Sequence, residues 1–284
     1  MTLPNGFLFS QSNLQDFVDC KRRFQLRHLI QLAWPAVEAE PALENERIMD
    51  QGARFHRIVR QHLLGVPEQQ ISLSIGDDEL MCTWWDTYLH ATKEGSLSFI
   101  FQEGNQRFPE ISLSAALGEY RLIAKYDLLV LHPEGKLTII DWKTSQTHPK
   151  RKWLADRMQT RVYSFLLTQA SSSLNQGRQI DPDHIEMIYW FTTQPDQLDR
   201  FQYNHAAYEA DIDYLLSMVK IIEGKKEPDF PLTQDTKRCL FCTYRSLCNR
   251  GIGPGDVNVM EQWQESDEPY ELTFDYDQIA EIEY

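Results

Sequence analysis

Asp127, Asp141 and Lys143 are the residues of this chain whose types and spacing first suggest chemistry. They lie in the stretch Ala124-Lys125-Tyr126-Asp127-Leu128-Leu129-Val130-Leu131-His132-Pro133-Glu134-Gly135-Lys136-Leu137-Thr138-Ile139-Ile140-Asp141-Trp142-Lys143-Thr144. Pro133-Glu134-Gly135 suits a three-residue hairpin loop, with Pro at the first central position of a type I turn and Gly at the left-handed site. Such a loop sets His132 opposite Lys136, and counting back along both strands sets Asp127 opposite Asp141. The two carboxylates then face each other with Cβ atoms roughly 5 Å apart, and Lys143, two residues on, shares their face. Like charges so placed repel, so the pair calls for a cation, and oxygen ligands at that separation suit Mg2+ or Mn2+. The plainer alternative is a pair of solvent-facing acids that Lys143 merely neutralises. A slip of one residue in the turn would put the acids on opposite faces.

The cysteines form a second constellation. There are five, at positions 20, 82, 239, 242 and 248, a poor count for a disulfide framework. Cys239, Cys242 and Cys248 follow the spacing C-x2-C-x5-C, three ligands in want of a fourth. Cys20 is the natural fourth and Cys82 competes for the role. By spacing alone, zinc and an iron–sulfur cluster are both open, since each takes four thiolates.

Local pattern supplies the elements that must position these groups. Ser12-Asn13-Leu14-Gln15 reads as a capping box opening a helix with Leu14, Phe17 and Val18 on its apolar face. Helices are predicted from about Glu44 to Leu64, stopped by Gly65 and Pro67, and from Asp78 to Thr92, with Trp84, Trp85 and Tyr88 directed to the core. Leu97–Phe101, Glu119–Leu131, Lys136–Lys143 and Ile185–Thr192 read as strands. Lys152–Thr168 and Ala206–Ile222 return to helical spacing, with Ser171–Gly177 a plain loop between elements. This order predicts an α/β sandwich, a mixed sheet with helices packed against it. Residues 1–250 read as one domain, and Gly251-Ile252-Gly253-Pro254-Gly255 as an exit to a tail over 251–284.

With those elements placed, Asp127 followed by Asp141-Trp142-Lys143 resembles the PD-(D/E)xK nuclease superfamily in its RecB-like branch. That branch carries a helical His upstream, here His56 in Gly52-Ala53-Arg54-Phe55-His56. It also carries a Gln-x-x-x-Tyr motif downstream, here Gln159-Thr160-Arg161-Val162-Tyr163. Here Ala124-Lys125-Tyr126 precedes the first acid where the branch usually has a Gly. The resemblance spans Ser12 to about Cys248 and implies a restriction-endonuclease-like core. It implies that His56, Asp127, Asp141 and the Trp142 carbonyl ligate a divalent metal, with Lys143 stabilising charge or orienting water. Gln159 and Tyr163 would grip nucleic acid. A further acid often precedes the first strand of the hairpin, and Glu103 and Glu110 both qualify. Some members, including AddB-type subunits and single-domain nucleases of CRISPR adaptation, hold a [4Fe–4S] cluster on one N-terminal and three C-terminal cysteines. Cys20, Cys239, Cys242 and Cys248 match that layout, leaving Cys82 as a core thiol.

The charge balance at first argues against a nucleic-acid partner: 28 basic residues stand against 42 acidic ones, a formal net of −14. Ten of the acids lie after Arg250, where there is no Lys or Arg, so residues 1–250 carry only −4. Basic runs at Lys21–Arg27, Lys150–Lys152 and Lys237–Arg250 could line one groove leading phosphates to the metal. No apolar run reaches the roughly 20 residues of a membrane span, and no secretory leader is evident, so the cytoplasm is expected. The resulting expectation is a metal-dependent deoxyribonuclease acting on single strands or ends, an exonuclease rather than an endonuclease, in repair or spacer acquisition. Its rivals are a non-catalytic DNA-binding scaffold subunit of a helicase–nuclease or adaptation complex, and a zinc-stapled interaction protein. The acidic, aromatic tail is expected to dock on a basic surface.

Overall fold

The computed structural model describes residues 3–4, 6–34, 42–251 and 255. The tail expected to dock on a basic surface lies outside the described residues from position 256 onward. β1 (Leu8–Ser10) runs into α1 (Gln11–Asp19), α2 (Lys21–Phe24) and a π-helical turn at Gln25–Leu29. Three helices follow: α3 (Ala42–Leu63), α4 (Glu68–Ile75) and α5 (Glu79–Lys93). The sheet-forming half comprises β2 (Gln106–Leu117), β3 (Tyr120–Leu131), β4 (Leu137–Lys143), α6 (Arg151–Asp156), α7 (Met158–Ala170), β5 (Ile185–Phe191), β6 (Leu198–Gln202) and α8 (His205–Glu223).

The six strands form one mixed sheet in the order β1-β3-β4-β5-β6, with β2 also paired to β3. β4 and β5 are parallel, joined through α6 and α7 as a parallel connection requires. One face buries Leu129, Ile139, Met187 and Tyr189 against α1, α7 and α8. The other buries Leu128, Val130, Ile140, Trp142 and Trp190 against α3 and α5. Alternate strand residues thus feed two separate cores, which is why β4 and β5 are buried at every position. This is the expected α/β fold, a mixed sheet flanked by helices. No helix among the described residues is long and apolar enough to cross a membrane.

The local expectations fail where tertiary packing outweighs pattern. Leu97–Phe101 is not a strand: Ser98–Phe101 forms a 3-10 turn that buries Leu97 and Ile100. The predicted helix over 152–168 is two helices, broken at Arg157, whose extended backbone re-aims α7 across the sheet. The capping box belongs to Ser10 and Asn13 rather than Ser12 and Gln15. Gln15 faces inward, its Oε1 accepting the Met158 N–H at 3.0 Å, and Val18 is half exposed. Ser171–Ser173, expected as loop, winds into a 3-10 turn. β2 escapes sequence pattern because Pro109 interrupts it; the position is allowed since β2 pairs on one side only.

Candidate active site and thiol centre

β3 is paired along its length by β2, so β1 and β4 must share its other edge. β1 takes Arg121–Ile123 and β4 takes Leu128–Leu131, leaving residues 124–127 in the fork between them. Side chains replace the missing ladder there. The Tyr163 hydroxyl donates to the Lys125 carbonyl at 2.8 Å, and the Trp142 N–H donates to Asp127 Oδ2 at 2.9 Å. Alternation also breaks at this point, because Tyr126 and Leu129 both enter the α7-side core while Leu128 enters the other. Asp127 sits at that break.

The hairpin forms in the expected register, with Leu128 opposite Ile140 and His132 closing on Lys136. Asp127 and Asp141 are next in line. On its far side Asp127 falls opposite Glu110, the one position where the β2–β3 pairing is interrupted, and Glu110 has a left-handed φ of 52°. A single row therefore crosses the sheet, Glu110–Asp127–Asp141, continuing to Tyr189 and Asp199 on β5 and β6. Glu110, not Glu103, is the acid that joins this row. Glu103 is exposed in the turn before β2. A positive φ at a non-Gly strand residue is a costly conformation, and nothing in the local sequence signals it beyond the preceding proline.

His56 projects from α3, its Nδ1 at 3.2 Å from Asp127 Oδ1. His56, Glu110 and Asp127 offer ligand atoms within 4.8 Å of one another, a span that one ion can bridge. Asp141 stands outside that triplet. Gln159 Nε2 donates to its Oδ1 at 2.6 Å, and Lys143 Nζ lies 2.8 Å from its Oδ2. Glu110 in turn pairs with Lys125. Trp142 contacts Asp127 through its amide. Gln159 and Tyr163, expected to grip nucleic acid, are both buried; Tyr163 spends its hydroxyl on the Lys125 carbonyl and Gln159 its amide N–H on Asp141, while Gln159 Oε1 has no hydrogen-bond partner among the described residues.

The acids are electrostatically unequal. Burial pushes the Asp141 carboxyl up to about 6, with Lys143 opposing the rise and Asp127 adding to it. Burial also raises Asp127, but the His56 ring, with Lys143 and the Trp142 N–H, outweighs it and holds this carboxyl below its ordinary value. Two buried acids in one row thus share their charge by keeping a proton on one of them up to mildly acidic pH.

The second centre joins the ends of the folded body. Cys20, between α1 and α2, lines a cavity with Cys239, Cys242 and Cys248, together with the buried Arg23 and Arg245. Asp19, beside Cys20, pairs with Arg238, beside Cys239, at 2.5 Å, and with Arg23 at 3.1 Å. Trp34 donates to Ser246 and Tyr244 to the Leu32 carbonyl, tying the same two segments. Burial pushes the Cys242 thiol up to about 11, and the Cys239 and Cys248 thiols rise for the same reason, each raised further by Cys20. Cys82 lies apart on α5, against the α3–α5 core, with its thiol toward the Gly76 carbonyl.

Comparison with known families supplies the class of this fold. The PD-(D/E)XK nuclease superfamily matches residues 8–249, and the chain belongs to that superfamily. Among solved structures, one named "Putative exonuclease" from Eubacterium rectale shares the fold: TM-score 0.50, 10% identity, 82% of this chain and 88% of that one. The crystal structure of SSO0001 aligns over 85% of each chain at 16% identity and a TM-score of 0.39. No curated protein matches the sequence.

Proposed function

We propose that the protein is a divalent-metal-dependent deoxyribonuclease of the RecB-like branch, acting as an exonuclease on single strands or DNA ends. The observation that carries this reading is the cross-strand row of Glu110, Asp127 and Asp141, with Lys143 and His56 against it. His56, Glu110 and Asp127 would hold Mg2+ or Mn2+, and Asp141 would join them only by giving up its contact with Gln159 or Lys143. The Trp142 carbonyl is the remaining expected ligand. When bound, the metal supplies an acidified water and stabilises charge on the phosphorus. Lys143 releases Asp141 and turns its ammonium to the developing phosphate charge, where a fixed cation in a dry site has its largest effect. Gln159 holds the carboxylate plane of Asp141, and Tyr163 holds the unpaired edge of β3. Both position the acids rather than grip the strand.

The four-thiol cavity carries a structural [4Fe–4S] cluster. Buried thiols with raised proton affinity favour a site that is neutral without its metal, and a cationic centre with Arg23 and Arg245 beside it makes four thiolates tolerable. Zinc on the same four thiolates is the competing reading, and iron content separates the two. The protein then works in the cytoplasm, in repair or spacer acquisition, with a protein partner of such a complex. Residues 1–250 form the nuclease domain and 251–284 a partner-binding tail.

The test is cleavage of end-labelled single-stranded and duplex oligonucleotides, with free and blocked ends, in Mg2+ or Mn2+. Wild-type protein should degrade free ends, while Asp141→Ala and Lys143→Ala lose at least about a hundredfold in rate with iron content unchanged. Wild-type cleavage by both variants overturns the assignment. Tight DNA binding without cleavage by the wild type would make the chain a scaffold.

A further inference from the structure

His148 follows β4 in the segment Thr144–Lys150, and the next residue, Pro149, restricts it to extended backbone. Its ring packs on Phe191, 4.4 Å between centroids, and its Nε2 lies 2.8 Å from Asp199 Oδ2. Asp199 is 4% exposed, an acid buried on the edge strand β6 where a solvent-facing residue would be the ordinary choice. Arg151 shares the same carboxylate, at 3.7 Å from Oδ1, and its guanidinium lies over Phe201 at 4.3 Å. More than half of the Arg151 side chain remains exposed. One buried acid therefore anchors a histidine and an arginine, each also braced on an aromatic ring.

The anchor falls on the row already described. Asp199 pairs with Tyr189, which pairs with Asp141, and Phe191, under the His148 ring, pairs with Lys143. Tyr189, Phe191 and Phe201 all lie on the α7 side of the sheet, so His148 and Asp199 share the face of Asp141 and Lys143. Adjacent strands are about 4.8 Å apart, so Asp199 sits roughly 10 Å along the row from Asp141. That separation is too long for contact with the scissile phosphate and suits a neighbouring one on the same strand.

We infer that His148 and Arg151, anchored on Asp199, form a subsite for a backbone phosphate of the nucleic-acid strand, one or two nucleotides from the bond facing Asp141 and Lys143. This rests on the nuclease reading above. Phosphate contacts of this kind set the register of a strand without reading its bases. The buried carboxylate does the orienting, the exposed guanidinium of Arg151 meets the substrate, and the His148 ring, 17% exposed with Nε2 turned to Asp199, offers only its remaining edge.

The experiment uses the full-length protein and single-stranded oligothymidylates, in two arms. In the binding arm, fluorescence anisotropy in EDTA is followed across a salt series. Arg151→Ala and His148→Ala should each weaken binding about tenfold, the usual effect of a lost charge-assisted hydrogen bond. Arg151→Ala should also flatten the dependence of log affinity on log salt by about 0.7, one phosphate contact on a single strand. His148→Gln, which keeps a donor, should recover part of the loss. In the turnover arm, both Ala variants should raise KM on a long oligonucleotide while kcat stays within about threefold, and should match wild type on a dinucleotide.

A purely structural staple would lower thermal stability without changing the salt slope, and that result overturns the inference. So does an equal deficit on the dinucleotide. Cleavage with unaltered KM in both variants sinks the subsite and leaves the nuclease reading standing. Binding that depends on His148 and Arg151 in a protein that never cleaves supports the subsite and sinks the nuclease reading instead.

Discussion

Asp127 and Asp141 are brought near each other by one short hairpin, just past its last pair, Leu128 and Ile140, whereas Cys20 meets Cys239, Cys242 and Cys248 from the far end of the folded chain. The acid row is embedded in the sheet, its members spaced by strand pairing and its gaps filled by Tyr163, Trp142 and Gln159. The thiol cavity is lined instead by α2, the π-helical turn and the 3-10 and turn segments around Cys239–Cys248, held by the ion pairs of Asp19 and by Trp34 and Tyr244. Register supplies rigidity for the first centre, while the second rests on side-chain contacts between two distant segments of the chain. The difference teaches that the two centres should fail independently and in different currencies, rate for the acids and stability for the thiols.

The largest expected effect separates them directly. If the four-thiol cavity holds the cluster proposed above, Cys239→Ser should remove its iron and cost several kcal/mol of stability, on the scale of a structural metal site. Lys143→Ala should leave both unchanged while abolishing cleavage. Denaturant unfolding with iron quantification on the two variants checks this, and a parallel loss of both properties in either variant would erase the distinction.

Next in size is the acid limb of stability. Asp16 is buried against Arg23, Arg27 and His28. Burial alone would raise its carboxyl, but these cations hold it down at about 2 against an ordinary 3.8. A carboxyl depressed in the folded state stabilises at pH above its unfolded value and loses that contribution as pH falls through its folded one. About 2.5 kcal/mol should therefore disappear progressively between about pH 5 and about pH 1. Asp16→Asn should flatten that limb in a pH series of unfolding free energies.

The acid row carries a carboxyl shifted in the opposite direction, and its pH dependence is read in metal affinity. With its carboxyl raised to about 6, Asp141 holds a proton that a metal must displace. Mn2+ affinity, measured by titration calorimetry, should rise about tenfold per pH unit up to pH 6 and then level. Asp141→Asn should remove the slope; an unchanged slope would exclude Asp141 from the metal site.

The smallest effect tests the fork. Tyr163→Phe deletes the bond to the Lys125 carbonyl and should cost about 1 kcal/mol, with a rate loss of a few-fold, visible in thermal unfolding and cleavage together. A loss confined to DNA affinity would return Tyr163 to the nucleic-acid surface.

Legibility in the sequence followed the range of the interactions. The hairpin register, the shared side of Asp141 and Lys143, and the three-cysteine cluster could all be read because turn chemistry and strand period act within a few residues. Helices α3, α5 and α8 were readable for the same reason, being long and strongly amphipathic. β2 was not, because Pro109 and its serines hide an edge strand that only β3 makes necessary.

What only the tertiary structure decided is long-range pairing. It chose Glu110 over Glu103 by placing β2 beside β3, and it brought Cys20 rather than Cys82 to the other thiols. It also spent Gln159 on Asp141 and set Asp199 in line with the acids across two further strands. Sequence records which side chains can pair locally. The choice among distant partners is made by sheet edges and packed faces, whose free energy is spread over many contacts and leaves no motif at any one position.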